Sequence, residues 1–331
     1  LSLIVFPMVL GLGKKVFYSG GTMKLLFLLM LCCSQAFAQG TTLLDQTTEV
    51  SGFGKIRYRA PLVENRTSEE TPIVLFHGIY GGASHRTWRK LLPLLDAAGK
   101  KVYIMDLPGV GESDKPKRPY TISDFDAFVE KFLIEVVKTR ANLVSESIAS
   151  NAVLKIAAKR PDLVRRAIII NPSGIFSLNE GPTTREQRLY DRLYADDNAA
   201  IGFYQNLLNP NSLRYFLNFG FFDDSLVDDD LIADFSVLQN NVDQRFLTLS
   251  FVGGQLYRSF EESSKNVFIP VLALFGAEYE AFQDNQIARA SDFAQVRPYF
   301  EYVEIPKSGG SVQREKPQEV LNEILIFTER D

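Results

Sequence analysis

The stretch Leu143-Val144-Ser145-Glu146-Ser147-Ile148-Ala149-Ser150 runs from an apolar, strand-like segment straight into a helix-like one, and its reading decides the fold. A serine at such a junction sits on a sharp, strained turn, so the residues two before and two after it must be small enough for neighbouring backbone to approach. Ser145 and Ala149 hold those places around Ser147, a relaxed form of Gly-x-Ser-x-Gly. Taken alone, small-x-Ser-x-small also describes a helix capped by Ser145 or Ser147; the strand before it and the helix after it select the nucleophile elbow, with Ser147 as candidate nucleophile.

Working outward, apolar runs of strand length alternate with segments of helical spacing. Pro72 to Phe76, Lys101 to Met105, Ala141 to Val144 and Arg166 to Ile170 read as strands, and Trp88 to Ala98, Ile122 to Lys138 and Ile148 to Lys159 as helices. Strands apolar on both faces belong in a parallel sheet covered on each side. Thr47 to Arg59 alternates polar and apolar residues, as an edge hairpin does, with its turn at Gly52 and Gly54. After Ile175 the alternation gives way to helical, aromatic-rich sequence with acidic turns, then resumes with strands over Val267 to Phe275 and Phe300 to Ile305 and a helix over Pro317 to Phe327. The expectation is an α/β protein, a mostly parallel central sheet flanked by helices. Its core is 39–174 and 266–331, and residues 175–265 form an inserted helical cap.

Composition narrows the classes. A chain of 331 residues, 46% apolar, supports one large domain with an insertion. A net charge of −4 provides no basic surface for nucleic acid. From Met23, Lys24, the apolar run Leu25 to Leu31 and Ala36-Phe37-Ala38 form a secretory signal pattern, which predicts a mature start at Gln39 and a secreted or periplasmic protein. Residues 1–22 read as upstream sequence. Neither apolar run there reaches the roughly 18–20 residues of a membrane span, so no transmembrane helix is expected. Asn65-Arg66-Thr67 matches a glycosylation sequon, which carries little weight in bacterial-type secretion. Both cysteines, Cys32 and Cys33, lie in the signal, which leaves the mature chain without thiolate chemistry.

His77-Gly78-Ile79 follows a strand, where the amides of Ile79 and Ile148 form an oxyanion hole in front of Ser147. His77 reads as a loop-holding ring. With His77 and His85 the only histidines, imidazole chemistry has two candidates in the whole chain.

These features together resemble the α/β-hydrolase superfamily. The resemblance rests on His77-Gly-x-x-Gly-Gly82, the loop Asp106-Leu-Pro-Gly-Val-Gly-Glu-Ser-Asp-Lys-Pro116, the elbow, Pro161-Asp-Leu-Val164 and Asn171-Pro172. Gly82-Ala-Ser-His-Arg-Thr-Trp-Arg89 is similar to a loop of one bacterial subgroup. It implies an esterase-like serine hydrolase with an acid three residues after Gly276 and a histidine before the last helix. This chain carries Tyr279 and Gly310 in those places. Glu278 and Glu280 flank the first position as substitute acids, against a plainer reading as solvated turn glutamates. His85 is the remaining candidate base, against a plainer reading as an exposed or cap-contacting residue. Without a base a serine hydroxyl is a poor nucleophile. Two readings stay open: a serine hydrolase with an unconventional base acting on an apolar small molecule, and a non-catalytic pseudo-hydrolase that binds a ligand or a protein partner. No metal site is expected, since Asp228-Asp229-Asp230 reads as a helix start, and no nucleotide cofactor motif is found.

Overall fold

A computed structural model of the chain describes residues 43–62, 70–175, 178–279 and 290–330. The expected signal peptide, the upstream segment, the sequon at Asn65 and the candidate acid Glu280 lie outside the described residues. Eight strands form one sheet: β1 (Gln46–Val50), β2 (Gly54–Arg59), β3 (Ile73–Phe76), β4 (Val102–Met105), β5 (Ala141–Glu146), β6 (Val164–Ile170), β7 (Val271–Gly276) and β8 (Glu301–Ile305). Their order is β1-β2-β4-β3-β5-β6-β7-β8. The hairpin β1–β2 and the pairing of β2 with β4 are antiparallel, and every later pairing is parallel. The strand carrying the elbow is thus central, between β3 and β6, and all six of its residues are buried.

Both sheet faces are apolar because the strands alternate side chains between two cores. Val74, Phe76, Leu143, Ile169 and Ala273 join the core beneath the helices α2 (Ile122–Phe132) and α3 (Ala149–Lys159), with α1 being Leu92–Ala97. Ile73, Leu75, Val144, Ile168, Leu272 and Leu274 join the opposite core with Trp88, Leu92, Leu95 and Ile324. Helix α2 begins with a capping box, Thr121 with Asp124, and buries Phe125, Phe128, Val129 and Phe132. It ends sooner than the spacing predicts: a π turn follows over Leu133–Val137, and Lys138 closes it in the left-handed region at φ 61°.

The helix expected from Trp88 starts later. His85–Trp88 is a 3₁₀ turn, and α1 begins only at Leu92, which puts Pro93 in the first turn, where its missing N–H costs nothing. Between β6 and β7 lie the helices α4 (Thr184–Tyr194), α5 (Asp197–Leu207), α6 (Pro210–Gly220), α7 (Asp229–Ser236), α8 (Arg245–Val252) and α9 (Phe260–Ser264). Asp228 caps α7 through the Leu231 amide at 2.8 Å, so the acidic run there is a helix start. The last elements are α10 (Ala290–Val296), α11 (Val312–Glu315) and α12 (Pro317–Thr328). Among the described residues no helix is long and apolar enough to cross a membrane.

Phe132 is fully buried and its ring meets Phe128, Tyr58 and Phe76 at centroid distances of 5.7, 6.0 and 6.5 Å. Phe132→Ala should therefore destabilise the fold by about 3–5 kcal/mol in urea titration, and a loss below about 1 kcal/mol would refute this packing role.

Candidate functional site

Ser147 has φ 53°, a left-handed conformation that β5 forces on it before the chain turns into α3. A non-glycine residue held there costs on the order of 1–3 kcal/mol, tolerated because the surroundings over-determine it. The Ser147 amide donates to Ile170 O at 3.0 Å, locking the turn onto β6. Ser145, fully buried, donates its hydroxyl to Ser150 at 3.2 Å on the other side of the turn. The Ser147 hydroxyl meets another hydroxyl, that of Ser173 in the loop after β6, at 3.1 Å.

Of the two expected oxyanion donors, Ile148 follows Ser147 directly and Ile79 lies on the loop after β3. Ile79 and Ile148 are each 1% exposed, and neither amide has a hydrogen-bond partner among the described residues. Unpaired buried amides are rare, and such donors are suited to a partial negative charge. The loop that carries Ile79 is held by Glu146. Its carboxylate, 4% exposed, accepts from the Gly78 amide at 2.8 Å, the Tyr80 hydroxyl at 3.1 Å and the Thr87 hydroxyl at 3.3 Å, and also from the Gln313 side-chain amide. Burial pushes the Glu146 carboxyl above its ordinary pKa, against the opposing pull of the Gly78 amide and the Arg314 charge.

His85 is bound to Asp106, directly after β4, and the His77 ring lies close by, its Nε2 3.9 Å from Asp106 Oδ1. The His85 amide and Nδ1 lie 2.9 and 2.8 Å from Asp106 Oδ1. His77 Nδ1 lies 2.7 Å from Gly78 O, and its Nε2 accepts the Leu107 amide at 3.0 Å, which fixes the proton on Nδ1. Burial favours a charged Asp106 least of all, yet the His85 and His77 rings and the His85 hydrogen bonds outweigh it and hold the carboxyl well below the usual range. His77 is a loop-holding ring. His85 departs from its plainer reading: it is 1% exposed rather than at the surface, because Asp106 draws it inward. Its Nε2 is buried without a partner, while the Ser147 hydroxyl is engaged with Ser173.

The substituted positions fill each other. A Cβ on Gly310 would lie 2.5 Å from the Tyr279 ring, so the tyrosine occupies space that any side chain at 310 would need. Burial, with the Glu146 charge adding to it, pushes the Tyr279 hydroxyl up to about 12. The Gly310 amide donates to Gly220 O at 2.6 Å at the end of α6, and Asn171 reaches Gly309 O and Gly310 O at 3.2 and 3.0 Å. Asn171 also accepts the Gly276 amide at 3.2 Å; a Cβ on Gly276 would run into the Gly309 carbonyl, so this crossing requires glycine. Glu278 is exposed and accepts the Ser308 amide at 3.2 Å, a turn-stabilising role rather than an acid facing an imidazole.

Ser173 and Glu146 escaped the sequence reading. Ser173 lies two residues beyond Asn171, on the loop after β6; Glu146 is the unspecified residue of the elbow pattern, where only its burial reveals a task. Among the described residues no group of three His, Cys, Asp or Glu side chains is arranged to hold a metal ion.

Comparison with known proteins bears on the fold. The family described as alpha/beta hydrolase fold matches residues 71–286. The chain is 33% identical over 99 residues to a haloalkane dehalogenase of Bradyrhizobium diazoefficiens, 30% of this chain and 31% of that one. It is 26% identical over 261 residues to the dihydrolipoyllysine-residue acetyltransferase component of an acetoin cleaving system of Pseudomonas putida, 78% of this chain and 63% of that one. These matches thus span less than two thirds of either relative. Among solved structures, the enol-lactonase of Burkholderia xenovorans superposes with TM-score 0.67 at 19% identity, over 86% of this chain and 100% of its own. A meta-cleavage product hydrolase of Pseudomonas fluorescens gives 0.64 at 17%, over 86% and 97%. At such identities the likeness is one of fold.

The buried His77 ring makes stability pH-dependent. Desolvation lowers its pKa from 6.5 to about 4, partly offset by Asp106. The unfolded chain therefore takes up this proton first. The stabilisation is complete above pH 6.5 and is lost as pH falls toward 4, by roughly 3 kcal/mol in total, while the Asp106 contribution disappears only at still lower pH. His77→Gln, which keeps an acceptor for the Leu107 amide, should flatten urea-derived stability between pH 6.5 and 4; an unchanged slope would remove His77 as its source.

Proposed function

The chain belongs to the α/β-hydrolase-fold family, and we propose that this member binds an apolar small molecule beside Ser147 without hydrolysing it through a Ser-His-acid triad. The observation that carries this reading is the 3.1 Å pairing of the Ser147 and Ser173 hydroxyls, with neither histidine of the chain hydrogen-bonded to Ser147. A hydroxyl is too weak a base to take the Ser147 proton at neutral pH. The Tyr279 ring against Gly310 supports the same reading, since a hydroxyl pushed up to about 12 is no base either.

The apolar character of the ligand is supported by the inserted helices. Most of their aromatic side chains are packing: Tyr204, Phe221 and Phe235 belong to one buried cluster. Helix α6 differs, with Tyr215 61% and Phe216 40% exposed, and its end meets the Gly309–Gly310 loop. In this proposal the insertion over 175–265 covers the ligand, and the signal from Met23 directs the protein to the periplasm or outside the cell. The relatives named above include a haloalkane dehalogenase and an enol-lactonase, both acting on small molecules, and this chain inherits the substrate scale from that company.

One observation favours a second reading, an enzyme with an unconventional base. The strained elbow and the two open amides are intact, an arrangement suited to a developing oxyanion. Hydrolysis of 4-nitrophenyl butyrate and octanoate separates the two. Wild type and Ser147→Ala are expected to match the blank, with an apolar molecule retained in native mass spectrometry. Turnover at about 1 per second or faster that Ser147→Ala abolishes would overturn the binding reading. Gly310→His alone should stay silent because the Tyr279 ring fills its place, whereas Tyr279→Asp with Gly310→His should produce Ser147-dependent turnover.

A further inference from the structure

Two buried carboxylates, one at the end of the central strand and one in the insertion, are held by the same two short helices. Glu146 accepts from Thr87, in the 3₁₀ turn His85–Trp88, at 3.3 Å and from Gln313, on α11. The Gln313 amide also donates to the Thr87 hydroxyl at 2.8 Å. Asp234, on α7, is met by the neighbours of those residues: Arg89 Nη1 at 2.5 Å and Arg86 Nη1 at 3.6 Å, in and just after the turn, and Arg314 Nη1 at 3.5 Å, on α11. Tyr80 is a third bridge. Its ring packs against the buried cluster drawn from α5, α6 and α7, and its hydroxyl donates to Glu146 at 3.1 Å. From this arrangement we propose that the 3₁₀ turn, α11 and Tyr80 form a clasp, through which docking of α6 and α7 controls how firmly Glu146 holds the Gly78–Ile79 loop.

Helices α6 and α7 have a packing unit of their own. Leu213, Leu231, Ile232 and Phe235 belong to a cluster distinct from both cores of the sheet, so these helices can move together without opening either. What fastens them to the rest is concentrated at α11 and the loop after β3. Besides the Asp234 contacts, Glu315 accepts the Phe222 and Asp223 amides at 2.9 and 3.4 Å, Arg314 stands over the Phe235 ring at 5.1 Å, and a Cβ on Gly82 would lie 2.8 Å from that ring. The Asp234 side chain is 6% exposed, and a buried carboxylate deprived of its cationic partners is strongly destabilised. The result is two states, Asp234 docked on its arginines or released into water. On release, Arg86 and Arg89, on either side of Thr87, and Arg314, beside Gln313, lose the group that fixes them. Thr87 and Gln313 hold Glu146 Oε2, whereas the Gly78 amide and the Tyr80 hydroxyl hold Oε1. Loosening the first pair therefore frees the carboxylate on which the Gly78 amide depends. Coupling of this kind is reciprocal: weakening the hold on Glu146 must also favour release of α6 and α7.

Hydrogen exchange of the full folded chain, read at single amides by NMR, tests the clasp without any ligand and so independently of what binds beside Ser147. Asp234→Asn is expected to speed exchange about tenfold or more in α6 and α7 and also at the Gly78 amide, which donates to Glu146 at 2.8 Å. The amides of Phe128 to Phe132 in α2 should keep their wild-type rates. Thr87→Val, which removes a donor to Glu146, should in turn speed exchange in α6 and α7. Faster exchange in Asp234→Asn confined to α6 and α7, with Gly78 unchanged, would overturn the coupling, as would unchanged rates throughout. An equal rise in α2 would mean a general loss of stability and would refute the clasp as well. If Asp234→Asn does not fold, Arg89→Gln is read at the same amides: acceleration at both α7 and Gly78 supports the clasp, and any other pattern refutes it.

Discussion

The carboxylate of Glu146 is the interaction on which the site depends. It stands one residue before Ser147, at the end of the central strand, and gathers donors from the loop after β3, from the 3₁₀ turn and from α11. The segment from Gly78 to Thr87 and the distant Gln313 are thereby held around one turn. An ionised carboxylate is costly to bury, and here the cost is offset by four donors, two of which, Gln313 and Thr87, are also bonded to each other. The strain at Ser147 can persist because this network, together with the Ile170 contact, leaves the turn no relaxed alternative.

Asp106 does for the floor of the site what Glu146 does for its wall. It holds His85 through both the backbone amide and Nδ1, while Gly78 O and the Leu107 amide hold His77. The Asp-His pairing that prepares a base in a triad is present here as Asp106 and His85, with His85 Nε2 buried and without a partner. The scaffold of a hydrolase and the machinery of hydrolysis are separable, so membership of the fold family does not by itself settle the reaction.

Much of the fold was legible because its signals are local. Both-faced apolar runs announced parallel strands, and the small residues around Ser147 announced the turn. Boundaries were less legible where the chain changes helix type, as at Leu133–Val137, or where Pro93 restarts a helix, since spacing alone does not distinguish these from continuous helix. In the site, the replaced residues Tyr279 and Gly310 were readable from their motifs, but their mutual packing was not: thirty residues separate them, and only the close approach of β7 to the following loop brings them together. His85 could be recognised as one of two histidines, but not as buried. That depends on Asp106, twenty-one residues away.

The contact between Tyr279 and Gly310 also constrains exchange at either position. A single Cβ at 310 would already reach the ring, so any side chain there requires the tyrosine to turn aside. The two positions are therefore tied as a pair: a larger residue at 310 calls for a smaller or displaced one at 279.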